Sequence, residues 1–174
     1  MRNSLRLALV GAALSAASFG SVAHAATSAT ATATAEVLST LTVSADSALN
    51  FGQIAANTGG TVTVNADGTV ASSGSLVSTG TRAPAGFTVT GTNGTSVVVS
   101  LPTSAATLSL QGWAGAGPAP SMSLAGFNSN PGGSFQLSPS TGSATFNVGG
   151  TLTVGSGQAS GVYRGTFDVS VEYQ

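Results

Sequence analysis

The sequence contains no cysteine and no lysine, and its single histidine is His24, close to the N-terminus. Without cysteine, the chain forms no disulfide and offers no thiol nucleophile. Beyond residue 25 no histidine remains to activate a serine or to bind zinc, and no lysine can replace it as a general base. We therefore expect a protein that is not an enzyme and that uses no cofactor or metal.

Charged side chains are also scarce. After residue 25 the cations are Arg82 and Arg164, and the acids are Glu36, Asp46, Asp67, Asp168 and Glu172. Two arginines outnumbered by acids supply no basic patch, so we expect no nucleic-acid partner. Asp168 and Glu172 share a strand face about 13 Å apart, which exceeds the roughly 5–9.5 Å between glycosidase carboxylates. A secreted hydrolase is the least favoured alternative.

The first 25 residues have the pattern of a signal peptide. Arg2 and Arg6 form a basic start, residues 7–19 are apolar and small, and Ala23-His24-Ala25 suits a signal peptidase. A membrane anchor is the alternative, but the apolar run is shorter than the roughly 20 residues that span a bilayer. We predict cleavage after Ala25 and export through the inner membrane to the periplasm, then to the cell surface or the medium, with no membrane span in the mature chain.

Glycine, serine, threonine, alanine and valine dominate the remainder of the chain. Threonine and valine favour strands, whereas glycine, asparagine and aspartate favour turns. No stretch shows the apolar period of 3.6 that is typical of a helix. Disorder is the alternative for such a composition, but repeated alternation of valine, leucine and phenylalanine argues against it. We predict a single all-β domain over residues 26–174, an immunoglobulin-like antiparallel β-sandwich.

Turn residues divide the predicted strands. Short strands are predicted at residues 61–64, 86–90, 96–101, 107–112, 121–127, 134–137 and 144–154. Residues 65–68 predict a turn with a hairpin partner after it, and residues 72–81 form either a connection or a weak strand. Asn93-Gly94 predicts a tight hairpin turn, because both residues tolerate positive φ. Gly149-Gly150 predicts a bulge.

The end of the chain, residues 161–174, is predicted to be the last strand, and it alternates without interruption between residues 166 and 173. One face carries Phe167, Val169, Val171 and Tyr173, and the other carries Thr166, Asp168, Ser170 and Glu172. Because side chains alternate faces along a strand, this pattern predicts a half-buried strand whose apolar face contacts the core.

Residues 26–43 alternate as well. One parity carries Ala29, Ala31, Ala33, Ala35 and Val37, and the other carries Thr30, Thr32, Thr34 and Glu36. Fully extended, the segment spans roughly 60 Å at about 3.3 Å per residue, against roughly 17–20 Å for a typical strand. We therefore divide it into an N-terminal extension, residues 26–36, and a first core strand, residues 37–43. A flexible leader ahead of an ordinary first strand is the alternative.

Two positions in the last strand resemble those of chaperone–usher pilus subunits: Tyr173 is penultimate, and Gly161 is fourteenth from the end. The wider chain is rich in alanine and threonine at its start and closes on Gly-Val-Tyr-Arg-Gly-Thr. It resembles an uncharacterised bacterial secreted domain family related to the spore-coat-U-like, archaic type of pilin. The resemblance implies a fibre subunit whose incomplete sandwich accepts a donor strand.

The resemblance also implies partners and contact residues. The partners are like subunits joined head to tail, a periplasmic chaperone and an outer-membrane usher. The donor residues are Ala29, Ala31, Ala33, Ala35 and Val37, and the C-terminal contacts are Gly161, Phe167, Val169, Val171 and Tyr173. Donor segments usually carry bulky apolar residues, so an alanine face would bind mainly through its backbone. A self-contained surface or adhesin module, with loops such as residues 113–120, is the alternative function.

Overall fold

The computed structural model describes residues 27–174, so the predicted signal peptide lies outside the described residues. The described chain forms eleven strands. They are β1 Thr42–Ser47, β2 Gln53–Val64, β3 Val70–Thr79, β4 Ala85–Thr90, β5 Ser96–Ser100, β6 Ala106–Leu110, β7 Ser121–Asn130, β8 Ser134–Gln136, β9 Ser143–Val154, β10 Tyr163–Arg164 and β11 Ser170–Tyr173. All the pairings among them are antiparallel. The prediction of an all-β antiparallel sandwich is confirmed.

Strand β9 is the centre of the larger sheet, which has eight strands. Along one edge β9 pairs with β7, and along the other its first half pairs with β4 and its second half with β2. Strand β1 extends the sheet beyond β4, β3 extends it beyond β2, and β6 and β10 extend it beyond β7. The smaller sheet has three strands in the order β11-β5-β8.

The buried apolar side chains form two clusters. The first joins Val89 and Phe146 of the larger sheet to Val97 of the smaller sheet. The second is built from the larger sheet and the loop before β2, and it contains Phe51, Val62, Val64, Leu76, Leu124, Leu152 and Val154. Phe167 packs against both clusters, with its ring centroid 5.0 Å from that of Phe127. The smaller sheet thus covers the first cluster, while loops border the second.

The predicted hairpin at Asn93-Gly94 is wrong, although the strands on either side of it exist. Strand β4 pairs with β1 and β9, whereas β5 pairs with β11 and β8. The turn therefore carries the chain from one sheet to the other. Val89 and Val97 belong to the same buried cluster. The apolar faces of β4 and β5 therefore pack against one core from two sheets, and the two strands do not pair with each other.

The predicted turn at residues 65–68 is confirmed, and it joins β2 to β3. The Gly68 N–H donates to the Asn65 carbonyl at 2.9 Å. The Asp67 carboxylate accepts the hydroxyl and the N–H of Thr69 at 2.6 and 2.8 Å, and these hydrogen bonds lower the pKa of Asp67. The ambiguous stretch, residues 72–81, lies in strand β3 as far as Thr79, where that strand ends, and the strand predicted at 61–64 is the end of the longer β2.

The predicted bulge at Gly149-Gly150 is misplaced. The register shift lies on the neighbouring strand β7, between Ala125 and Asn128. Gly149 has a different role, because a Cβ there would overlap the backbone of Val64 and Ala66. This glycine permits a close backbone approach, as glycines inside strands often do.

The predicted first core strand, residues 37–43, begins too early. Strand β1 starts at Thr42, which pairs with Thr90, the last residue of β4. The ladder between β1 and β4 contains no residue before Thr42, and the predicted end at residue 43 is too early as well, because β1 continues to Ser47. Residues 27–40 form no strand, and all of them are exposed. The chain divides after Glu36, and the unit Val37–Gln174 holds the strands.

The predicted last strand is split between the two sheets. Strand β10 pairs with β6 in the larger sheet, and β11 pairs with β5 in the smaller one. Residues 165–169 cross between them. The predicted alternation is confirmed, because Phe167, Val169, Val171 and Tyr173 are half-buried while Thr166, Asp168, Ser170 and Glu172 are exposed.

Candidate functional site

A cleft of about 1280 Å³ lies beside the second core cluster. One wall is residues 48–56, which are the loop after β1 and the first four residues of β2. The other wall is residues 158–166, which include β10. The floor of the cleft is apolar and consists of Leu108, Met122, Leu152 and Val154, from β6, β7 and β9. Leu108 and Met122 are half-buried and Leu152 and Val154 are buried, so this end of the inner face, which the smaller sheet does not cover, is a recess with a partly exposed apolar floor.

The cleft offers little for catalysis. Arg164 is the one charged side chain among the described residues that line it, and it is exposed. Within residues 27–174, no three or more His, Cys, Asp or Glu side chains converge as metal ligands would. The cleft combines an apolar floor with walls that include short pieces of strand, residues 53–56 and 163–164, which suits an apolar peptide segment better than a reacting small molecule.

Two edge strands adjoin this site. Strand β1 ends the larger sheet just before the first wall in the chain, and β10, which is part of the second wall, ends the same sheet on the other side, among the strands that the structure describes. The side chains of β1 are all exposed, and Val43 keeps 37% of its surface in solvent. An edge strand presents backbone N–H and C=O groups that a further strand can pair with, so both edges can extend a ladder.

The predicted C-terminal contact residues serve different parts of the structure. Gly161 lies in the cleft wall at φ +146°, where a Cβ would overlap the side chain of Leu110. Phe167 bridges the two core clusters, and Val169 and Val171 pack against the first. Gly161 alone of this predicted set lines the cleft, because the chain changes sheet between β10 and β11.

Tyr173 makes a contact that the sequence pattern does not reveal. Its hydroxyl accepts the Thr92 N–H at 2.7 Å and donates to the Ser39 carbonyl at 2.8 Å. The Ser39 N–H in turn donates to the Thr92 hydroxyl at 2.7 Å. A side chain on Gly91 would overlap the Tyr173 hydroxyl, so the glycine makes room for it. We call this arrangement the tyrosine latch; it holds residue 39 against the end of β11.

Replacing Tyr173 with phenylalanine is expected to release the chain just ahead of β1. The variant loses one oxygen and the three hydrogen-bond contacts of the hydroxyl while keeping the ring, so exchange of the Ser39 amide, and with it the mean exchange of residues 38–41, should rise about threefold to tenfold. Hydrogen–deuterium exchange with mass spectrometry measures this.

Tyr163 supplies the matched control for the tyrosine latch. Its hydroxyl accepts from the Gln158 amide at 2.8 Å and donates to the Ala159 carbonyl at 2.8 Å, so Tyr163→Phe removes the same two kinds of bond. It should leave exchange at residues 38–41 unchanged. Equal exchange at those residues in both variants would mean general loosening and no latch.

The predicted donor residues lie in a segment with no regular structure. Ala29, Ala31, Ala33 and Ala35 are exposed, and Val37 keeps 93% of its surface in solvent. The alanine face is therefore accessible, and its largest apolar member is almost fully exposed.

Comparisons with known proteins place the chain in a family. No curated protein matches it, and no solved structure matches it. Within residues 27–174, no helix is long and apolar enough to cross a bilayer. One domain family matches residues 41–173, a span that runs from just before β1 to the end of β11 and includes the cleft and Tyr173. Since this match covers most of the sequence, the chain belongs to the family DUF4402, a domain of unknown function.

Proposed function

We propose that this protein is a structural subunit of a secreted or cell-surface fibre, assembled by donor-strand complementation. In this proposal residues 26–36 of one copy enter the cleft of the next. The observation that carries it is the cleft between residues 48–56 and 158–166, whose floor is apolar and partly exposed at Leu108 and Met122. An added strand would cover this floor and pair with a wall, as in β-strand addition generally.

The lengths of the segment and of the cleft walls agree. Each wall is nine residues long, and the described part of the extension, residues 27–36, has ten. At about 3.3 Å per residue, residues 27–36 reach roughly 33 Å when fully extended. The extension therefore has enough residues to lie along either wall and to pair with the strand residues in it, 53–56 or 163–164.

The bound segment would be held chiefly by its backbone. Ala29, Ala31, Ala33 and Ala35 each offer one methyl group, worth about 0.8 kcal/mol when buried. Val37 is the bulky member of the same parity, and burying it fully contributes about 1.5–3 kcal/mol. Backbone hydrogen bonds supply affinity along the whole segment, while the side-chain parity determines which face enters the cleft.

The geometry of such a contact leads to a fibre. The extension and the cleft are different surfaces of one chain, so the contact is heterologous and each added copy exposes a new cleft. A periplasmic chaperone and an outer-membrane usher belong to the same proposal, since the resemblance to chaperone–usher subunits implies both. Export through the predicted signal peptide would deliver the chain to them. The proposal involves no catalytic residue and no cofactor.

Disulfide capture between two full-length chains tests the proposal, and the absence of native cysteine makes the result unambiguous. One chain carries a cysteine in place of Ala29, Ala31, Ala33 or Ala35, and the other carries Ala56→Cys or Ala159→Cys in the cleft walls. Since each chain has a single cysteine, a bond between the two types must join different molecules. We expect mixed disulfides for at least one donor position, seen by non-reducing electrophoresis and identified by mass spectrometry.

The opposite parity of the extension provides the control. Cysteines replacing Thr30, Thr32 or Thr34 face away from the floor in the proposed register, so they should form far less of the mixed product. Equal capture from both parities would indicate random collision, and no capture from any position would contradict the proposal.

One observation favours a second candidate, a surface binding module. Trp113 keeps 42% of its surface in solvent, on a loop in which residues 111–118 are all exposed. Its indole N–H donates to the Gly117 carbonyl at 3.4 Å, which orients the ring within the loop. A chain that binds a ligand through this loop and never forms mixed disulfides would fit the second candidate and not the first.

A further inference from the structure

The few charges of this chain are unevenly placed. Within residues 27–174 the cations are Arg82 and Arg164. Arg82 lies near β3, where its guanidinium donates to the Ser78 carbonyl at 3.3 Å. Arg164 is exposed on the cleft wall, and it is the charged member of the described lining. In the extension, Glu36 is exposed and is the one charged residue between positions 27 and 40.

We propose that Glu36 of one copy pairs with Arg164 of the next and thereby sets the register of the inserted segment. This inference rests on the proposed function, because it names the contact that aligns the donor in the cleft. The occupant is residues 27–36 of a second copy of this chain, and the complementary charges connect that segment to this wall. The segment runs parallel to the wall, with residues 30–36 beside residues 158–164, because an antiparallel segment with Glu36 at Arg164 would extend past the last lining residue, Thr166.

The parities of the two residues agree with the pairing. Glu36 lies on the threonine parity, so it points outward when Ala35 and Val37 point towards the floor. Arg164 likewise is exposed, whereas its neighbour Tyr163 is half-buried. Residues that lie opposite each other in a ladder share a face, so Glu36 and Arg164 would meet on the outer face of the completed sheet.

Neighbouring registers are less favourable. A slip by one residue would turn Glu36 and the threonines towards the apolar floor. A slip by four residues in one direction would place Glu36 opposite Asp168, which is exposed and has the same charge. A slip by two would set it against Thr166 or Val162, with no opposite charge. An exposed ion pair adds little affinity, so its effect here is to discriminate between registers.

Charge reversal in the full-length chain tests the register. Three variants are compared with the wild type: Glu36→Arg, Arg164→Glu and the chain carrying both. Each single variant sets like charges against each other, so its association should be about three- to tenfold weaker at low salt. The double variant restores opposite charges and should recover most of the wild-type association. Sedimentation velocity measures association, and negative-stain electron microscopy shows fibres.

Arg82→Glu is the matched control, since it reverses the other cation of the described chain and should leave association unchanged. At about 1 M salt the Debye length falls to about 3 Å, so the single variants should approach the wild type. Singles that match the wild type at low salt, or a double variant no better than the singles, would overturn the register while leaving the proposed function standing. A wild-type chain that never associates would overturn both.

Discussion

Val169→Asp is expected to destabilise the body of the protein by at least about 3 kcal/mol. Val169 is half-buried against the first core cluster, so the variant loses apolar contact and places a carboxylate beside that cluster. Ser170→Asp introduces the same charge one residue later, on the exposed face of β11. It should cost less than about 1 kcal/mol, as surface substitutions generally do.

Urea unfolding followed by circular dichroism distinguishes these two variants. Small domains have a free energy of unfolding of about 5–15 kcal/mol, so Val169→Asp should lower the midpoint strongly or prevent folding. Ser170→Asp keeps the backbone pairing of Ser170 with Ser100 and should unfold close to the wild type. Equal loss from the two substitutions would contradict the assigned faces of the last strand, because a one-residue slip exchanges them.

Deleting residues 28–36 is expected to abolish fibres while leaving a folded, exported chain. The deleted residues contribute no strand, and the unit Val37–Gln174 contains both core clusters. The tyrosine latch at Ser39 lies outside the deletion and stays intact. Two residues remain after the predicted cleavage site, so signal-peptide processing is preserved. Size-exclusion chromatography and electron microscopy of the purified variant measure the two outcomes.

Two point substitutions test the donor role without shortening the chain. Ala33→Asp places a charge on the parity that enters the apolar cleft, where desolvation costs several kcal/mol, and it should prevent assembly. Thr32→Asp places the same charge on the outward parity and should be tolerated. Unchanged fibres in the deletion variant would rule out the donor role. Loss of soluble protein from that variant would show that the segment completes its own sandwich.

Local sequence patterns were sufficient for the fold class and for much of the chain. Alternation in residues 166–173 correctly assigned the inward and outward side chains, because the period of two is a property of any strand. The turn at residues 65–68 followed from the preference of asparagine, aspartate and glycine for turn conformations. The scarcity of histidine, cysteine and lysine led to the expectation that the chain is not an enzyme, which no observation on the described residues yet tests.

Strand partners were the main error, and the reason is physical. Alternation shows which face of a strand is apolar but not which strand lies beside it, so β4 and β5 looked like a hairpin. The same limitation hid the division of the last strand, whose two halves pair with β6 and β5. It also placed the start of the first strand before Thr42, because the length of β1 is limited by the end of β4.

The amino-acid sequence by itself determined the all-β class, the faces of the strands, the low charge and the alternating extension, because each depends on residues close together in the chain. Only the tertiary structure decided where the second sheet stops and the cleft opens. It also decided that Gly161 and Arg164 line the cleft and that Tyr173 reaches Ser39, 134 residues away in the chain. These features depend on pairings between distant segments, which are selected by how two sheets pack over a shared core rather than by any local pattern.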